Sequence, residues 1–221
     1  DITGLARGFL AGLRSGKPWA TVESRVAILI LLGTIPIVLA GLAFKKLIEG
    51  EARRLEVVTG ALVAATLLMA AAEWVARTRE RRHQAGRSGL EGVSTADGLG
   101  MGMAQTLALI PGMSRSGVTI SAGMLGGLDR RTAARFSFLL SLPAVAAAGL
   151  LEAWQEREGI FGNADGLVAT LAGTLAAAVV GYASIRWLLR MLGSHSLWPF
   201  IVYRLLLAAF LAWAIVSGRV A

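Results

Sequence analysis

At 221 residues, 55% hydrophobic against 16% charged, with a mean hydropathy of +0.64, the chain does not fit a water-soluble fold and reads as a membrane protein. Its apolar residues are largely Leu and Ala with 27 Gly and few aromatics, which suits helices packed in lipid better than an outer-membrane barrel. The absence of Cys excludes disulfides, a thiol nucleophile and a thiolate metal site, and two histidines, His83 and His195, are too few for a histidine zinc site. The net charge of +8 could serve nucleic acid, anionic lipid or membrane topology.

In chain order, residues 1–25 read as a basic loop without the features of a secretory signal. Five apolar runs follow that are long enough to cross a bilayer: Val26 to Phe44 with Pro36 as a kink, Val57 to Ala76, Thr132 to Leu151, Gly166 to Ile185, and Leu197 to Ser217 interrupted by Arg204. Between the second and third lie two runs too short to cross, Gly98 to Ile110 and Gly117 to Leu128, separated by Pro111-Gly112. Two half-length helices around a polar turn predict a re-entrant hairpin rather than one kinked span, because a crossing here would spoil the charge pattern of the later loops.

With the hairpin non-crossing, loops 1–25, 77–97, 129–135 and 186–196 carry about 14 of the 22 Lys and Arg, and the other side about 6. The first group is therefore expected in the cytoplasm and the C-terminus outside. Topology thus accounts for the basic excess, and the Arg-rich stretch 77–87 lacks the aromatic interleaving of a nucleic-acid surface.

The segment Leu109-Ile-Pro-Gly-Met-Ser-Arg-Ser-Gly-Val-Thr-Ile120 concentrates the chemistry. Arg115 at membrane depth needs an anion or a buried acid as partner. Ser114, Ser116 and Thr119 offer hydroxyls, Gly112 and Gly117 let a ligand approach the backbone, and a helix starting near Ser116 points its free N–H groups to the same place. These residues predict a phosphate cradle; the competing reading is a hairpin stapled by its own Ser, Thr and Arg. Gln105 either orients phosphate or water, or only bonds across helices. Glu73 either pairs with Arg115 or Arg204 or, as expected at a helix end, reaches solvent. Arg204 either snorkels or holds the hairpin from behind. His83 and His195 are expected to be solvated.

The stretch Gly102 to Ser121, followed by Gly127-Leu-Asp-Arg-Arg-Thr-Ala-Ala-Arg-Phe-Ser-Phe-Leu-Leu-Ser141 and Pro143, resembles the second signature of the undecaprenyl-diphosphatase (bacitracin-resistance) family of bacterial inner-membrane enzymes. Leu31-Leu-Gly-Thr-Ile-Pro36 and Pro199-Phe-Ile-Val-Tyr-Arg204 extend the similarity from the first span to the last. The resemblance implies hydrolysis of undecaprenyl diphosphate to the monophosphate, which renews the lipid carrier of peptidoglycan synthesis. It places the family's functional Ser, Arg and Thr on Ser114, Arg115 and Thr119, with Gly112, Ser116, Gly117 and Gln105 around the substrate.

The same resemblance implies an all-α fold of two inverted repeats in a single membrane domain: residues 1–96 would be the remainder of the first repeat and 97–221 a complete second one, with its hairpin at 98–128. The family's earlier, acid-rich signature has no match in residues 1–25, so a hairpin and one span are expected to be missing. Diphosphate hydrolysis calls for Mg²⁺ or Ca²⁺ on carboxylates, and residues 98–128 contain no Asp or Glu; the metal ligands are expected in the missing part. These 221 residues alone should then bind diphosphate lipid but hydrolyse it little. The rival function is transport of a lipid phosphate, since broken helices in inverted repeats also build transporter sites. Pairing into a homodimer is left open.

Overall fold

A computed structural model describes residues 2–162 and 164–218. Apart from one isolated bridge between Arg87 and Leu128, the described chain is helical, in the order α1 (Ile2–Arg14), α2 (Val22–Ala43), α3 (Lys45–Glu49), α4 (Leu55–Arg81), α5 (Thr95–Thr106), α6 (Arg115–Leu125), α7 (Arg130–Gln155), α8 (Arg157–Phe161), α9 (Ala164–Met191) and α10 (Trp198–Val216). Five of these, α2, α4, α7, α9 and α10, are long and apolar enough to cross a membrane. They coincide with the five runs read from sequence: α2, α4, α7 and α9 extend two to six residues beyond their runs at one or both ends where charged residues continue the helix, and α10 falls one residue short at each end.

Residues 1–25 depart from the loop expected there. Ile2–Arg14 forms an amphipathic helix, and its Gly8 and Gly12 lie so close to Glu23 and Ser24 that a Cβ at either position would collide. The apolar residues of α1 are spaced at helical period, which a reading directed at span-length runs passes over.

α5 and α6 are 12 and 11 residues long, about 18 and 16 Å at the helical rise, too short to cross. They run back to back. Met101 sits against Gly123, and Asp97 near the start of α5 lies beside Gly126 just past the end of α6. Arg87 clamps that end with a bidentate fork to Asp97, Nη1 to Oδ2 at 2.7 Å and Nη2 to Oδ1 at 2.9 Å, and donates further to the carbonyls of Gly92 and Gly126. Arg79 donates to the last carbonyls of α6, those of Met124 and Leu125, the first of which also accepts from the Gly127 N–H just past the helix. Both arginines belong to the Arg-rich stretch that the sequence assigns to topology alone.

The pair is wedged between α2 and α4. Gly102 of α5 faces Gly33 of α2 so closely that a Cβ would sit 2.5 Å from the Gly33 Cα, the close backbone approach that small residues permit in membrane helices. The main core lies where α2, α4, α5, α6 and α7 meet, around Leu29, Met101, Met124, Phe136 and Leu140. Among its described residues α9 buries none fully and meets that core only at its end, through Leu188, Leu189 and Met191.

Glu73 corrects the sequence reading: it is fully buried rather than solvated, and its partners are Arg130 and Arg77 rather than Arg115 or Arg204. Its Oε1 accepts from Arg130 Nη2 at 2.8 Å and Arg77 Nε at 3.1 Å, and its Oε2 from Arg130 Nε at 3.0 Å and from the Leu197 N–H at 3.2 Å. One carboxylate thereby joins α4, α7 and the start of α10. Arg130 also reaches Glu80. A charge buried in a helical bundle persists because each of its acceptor sites is filled, and the negative end at the α10 N-terminus suits that helix's dipole.

Candidate active site

The segment joining α5 to α6 bends at residues whose backbone is unusual. α5 tightens into a single 3-10 turn at Leu107–Leu109, Pro111 cannot continue it, and Gly112 has φ +96°. A Cβ at Gly112 would lie 2.3 Å from the Val58 carbonyl oxygen of α4, so both the conformation and the space require glycine. Ser114 has φ 60° and ψ 105°, a region side chains rarely adopt. Such strain costs on the order of 1–3 kcal/mol and concentrates at functional positions.

Ser114 is the N-cap of α6, its Oγ accepting from the Gly117 N–H at 3.2 Å. The cap satisfies one donor and leaves the first-turn N–H groups of Arg115 and Ser116 without acceptors in the helix. The positive end of α6 is therefore presented at Ser114–Gly117.

Behind the turn stands Arg204 of α10. Its Nη2 donates to the Gly112 carbonyl at 2.8 Å and to the Leu62 carbonyl at 3.3 Å, and its Nε to Thr66 Oγ1 at 3.0 Å. Of the two readings open in the sequence, the guanidinium is directed at the turn between α5 and α6 and at α4. All three acceptors are neutral, so among the described residues the guanidinium's positive charge is uncompensated. It lines a cavity of about 210 Å³ together with Ser114, Ser116 and Gly117, walled by Leu188, Phe200 and Tyr203 among others. This is a small chamber with a cation, two hydroxyls and a helix start at one end and apolar side chains around it.

The remaining residues singled out in the sequence take different positions. Arg115 is half-buried at the first position of α6, and its guanidinium makes no hydrogen bond or ion pair with the described residues. Thr119 is fully buried and faces away from the chamber: its hydroxyl donates to the Arg115 carbonyl at 2.8 Å and lies 2.5 Å from Ser137 Oγ of α7. Gln105 is fully buried, and both amide atoms lack a partner among the described residues, as does Ser121 Oγ. His83 and His195 are exposed, as expected. Ser137, Phe200 and Tyr203 were not singled out from the sequence; the only signal was that they lie in the two later segments carrying the resemblance.

No three of His, Cys, Asp and Glu among the described residues come together as a metal site would require, so these residues do not fit a divalent cation by themselves.

Comparison with known proteins completes the picture. The family model described as bacitracin resistance protein BacA matches residues 1–210. Relatives named undecaprenyl-diphosphatase include those of Chlorobium limicola, 43% identical over 218 residues, Chlorobaculum tepidum, 43% over 219, and Chloroherpeton thalassium, 44% over 222; each alignment covers 99% of this chain and 77% of the relative. Five potential crossings, a short helical pair turning on Pro-Gly-Met-Ser-Arg-Ser-Gly and a family match over nearly the whole sequence lead to one conclusion: this chain is a multi-pass membrane protein of the BacA, or undecaprenyl-diphosphatase, family.

Proposed function

We propose that the chain acts as an undecaprenyl-diphosphate phosphatase of the bacterial inner membrane. In this reading α5 and α6 form a re-entrant hairpin within an inverted-repeat fold, entering from the cytoplasmic, Arg-rich side, and the turn at 110–116 receives the diphosphate. The observation that carries the proposal is the chamber beside the start of α6, where the unneutralised Arg204, Ser114 and Ser116 meet. An anion there answers a positive charge that the described residues leave without a carboxylate.

Ser114 and Ser116 hydrogen-bond phosphate oxygens, and the first-turn N–H groups of α6 add fixed donors. Arg115 swings its planar fork onto the charge that builds on phosphate oxygens as water adds to the terminal phosphorus and the bond to the bridging oxygen breaks. Gly112 and Gly117 keep the backbone open to the ligand. Thr119, bonded to Ser137, fixes α6 against α7 in this state, and Gln105, with an unpaired buried amide, is free to orient phosphate or water. The apolar wall takes the first isoprene units of the tail. A divalent cation would supply Lewis-acid stabilisation of the phosphate oxygens; its carboxylate ligands are expected from residues other than these 221.

The test is phosphate release from undecaprenyl diphosphate in detergent micelles, where no second compartment exists, by the protein as its cell makes it. One phosphate released per diphosphate lipid supports the proposal. Lipid movement across a proteoliposome without release in micelles would instead assign the chamber to transport. Residues 1–221 alone are expected to bind the diphosphate lipid and release little phosphate.

A further inference from the structure

We propose that Thr66 of α4 is a positioning residue for the chamber, its hydroxyl setting the orientation in which Arg204 meets a diphosphate. The role rests on the chamber being the diphosphate site and names a further residue that shapes it. Thr66 is fully buried and stands outside the residues that line the chamber, so it reaches a ligand only through a neighbour.

The hydroxyl of Thr66 donates to the Leu62 carbonyl at 2.6 Å. A hydroxyl has a single hydrogen to give, and with that hydrogen committed to Leu62 the oxygen meets other groups as an acceptor. Arg204 Nε, arriving from α10, donates to it at 3.0 Å. The local bond alone is ordinary, since Thr in a membrane helix often returns its hydroxyl to the carbonyl one turn back. Thr59 and Thr78 of the same helix do so, to Leu55 and Trp74. Of these three α4 threonines, Thr66 is the one that also receives a guanidinium.

That bond falls on the atom that controls the fork. The guanidinium is planar and turns as a unit about the Cδ–Nε bond, so an acceptor on Nε–H fixes its plane. Nη2, on the same edge, donates to the Leu62 carbonyl at 3.3 Å and the Gly112 carbonyl at 2.8 Å. These bonds spend the Nε–Nη2 edge on the protein and offer the Nη1 end to a phosphate oxygen. A donor held in place before the anion arrives costs no reorganisation when it binds. Without the Thr66 oxygen, Nη2 alone would hold the fork.

Affinity for a polyprenyl methylenediphosphonate tests the role, using the protein as its cell makes it, in detergent. In this lipid a carbon replaces the oxygen that bridges the two phosphorus atoms, so it is bound and not cleaved. Thr66→Val keeps the side-chain shape and loses the acceptor; it is expected to weaken binding about tenfold, within the range of coupling between contacting residues. Thr66→Ser keeps the hydroxyl and should bind like the parent. Thr66→Cys, whose sulfur is a weak acceptor, should fall between the two, and it carries the test if the valine variant does not fold. In an Arg204→Gln background Thr66→Val should cause no further loss, because a residue acting through Arg204 then has nothing to act on. Parent-like binding by the Val or Cys variant beside weakened binding by Arg204→Gln overturns the proposal and leaves the chamber as the diphosphate site, as does an undiminished loss from Thr66→Val in the Arg204→Gln background. A parent that does not bind the analogue, or full affinity in Arg204→Gln, overturns the chamber itself and this role with it.

Discussion

Ser114 holds a backbone conformation at φ 60° that glycine would adopt at little cost, and it also caps α6. Replacing a Ser cap by Gly costs only a few tenths of a kcal/mol, while relief of the strain returns on the order of 1 kcal/mol or more. Ser114→Gly is therefore expected to melt at the same temperature as the parent or higher, yet to lose at least about tenfold in turnover as a donor to the phosphate is removed. A melting curve and a phosphate-release assay on the same preparation check both halves; unchanged turnover would make the hydroxyl a cap and nothing more. Arg204 complements Ser114 from the other side, since its bond to the Gly112 carbonyl fixes the residue on which the turn pivots.

The α5–α6 pair is secured at its open end by Arg87 and Asp97, which lie outside the five spans. Burial pushes the Asp97 carboxyl up, but the hydrogen bonds from Arg87 and Ser94 together outweigh it and hold the group below the usual carboxylate range. The same bond to Asp97 raises the Arg87 guanidinium above its ordinary value. A depressed folded value means that the pair's contribution is fully present above the unfolded carboxylate value near 4 and fades as pH falls through the lower, folded one. Asp97→Asn should lower stability at pH 7 by about 1–2 kcal/mol, less than for a fully buried pair because Arg87 is partly solvated. The difference from the parent should shrink below about pH 4. Thermal melts of both proteins in detergent from pH 7 to pH 3 measure this, and a gap that stays constant with pH would remove the ion pair from the account.

For the whole molecule, the five long helices were legible because a bilayer-length apolar run has few other uses, and the short pair because Pro111-Gly112 interrupts two runs too brief to cross. What the sequence did not disclose were relations between distant residues. Glu73 finds Arg130 57 positions away, Thr119 faces Ser137 instead of the turn, and Arg79 and Arg87 cap and clamp the end of the α5–α6 pair, none of which leaves a periodic trace. Arg204 was visible as a charge in a span, but its acceptors on α4 and the turn could come only from the fold. The membrane placement of the pair is checked by single cysteines, introduced without background because the chain has none. Cysteines at the exposed Ser88 and Arg131 should react from the same side of the membrane, and labelling from opposite sides would convert the hairpin into a crossing.

Whether the turn at 110–116 receives the diphosphate and Arg115 stabilises its reaction is decided by the turnover of Arg115→Lys in the protein as the cell makes it. Lysine keeps the charge and loses the planar fork. Phosphate release is expected to fall on the order of a hundredfold, the magnitude of a lost transition-state contact, with an unchanged melting temperature because the guanidinium makes no bond to the described residues. Turnover near that of the parent would contradict that role of Arg115.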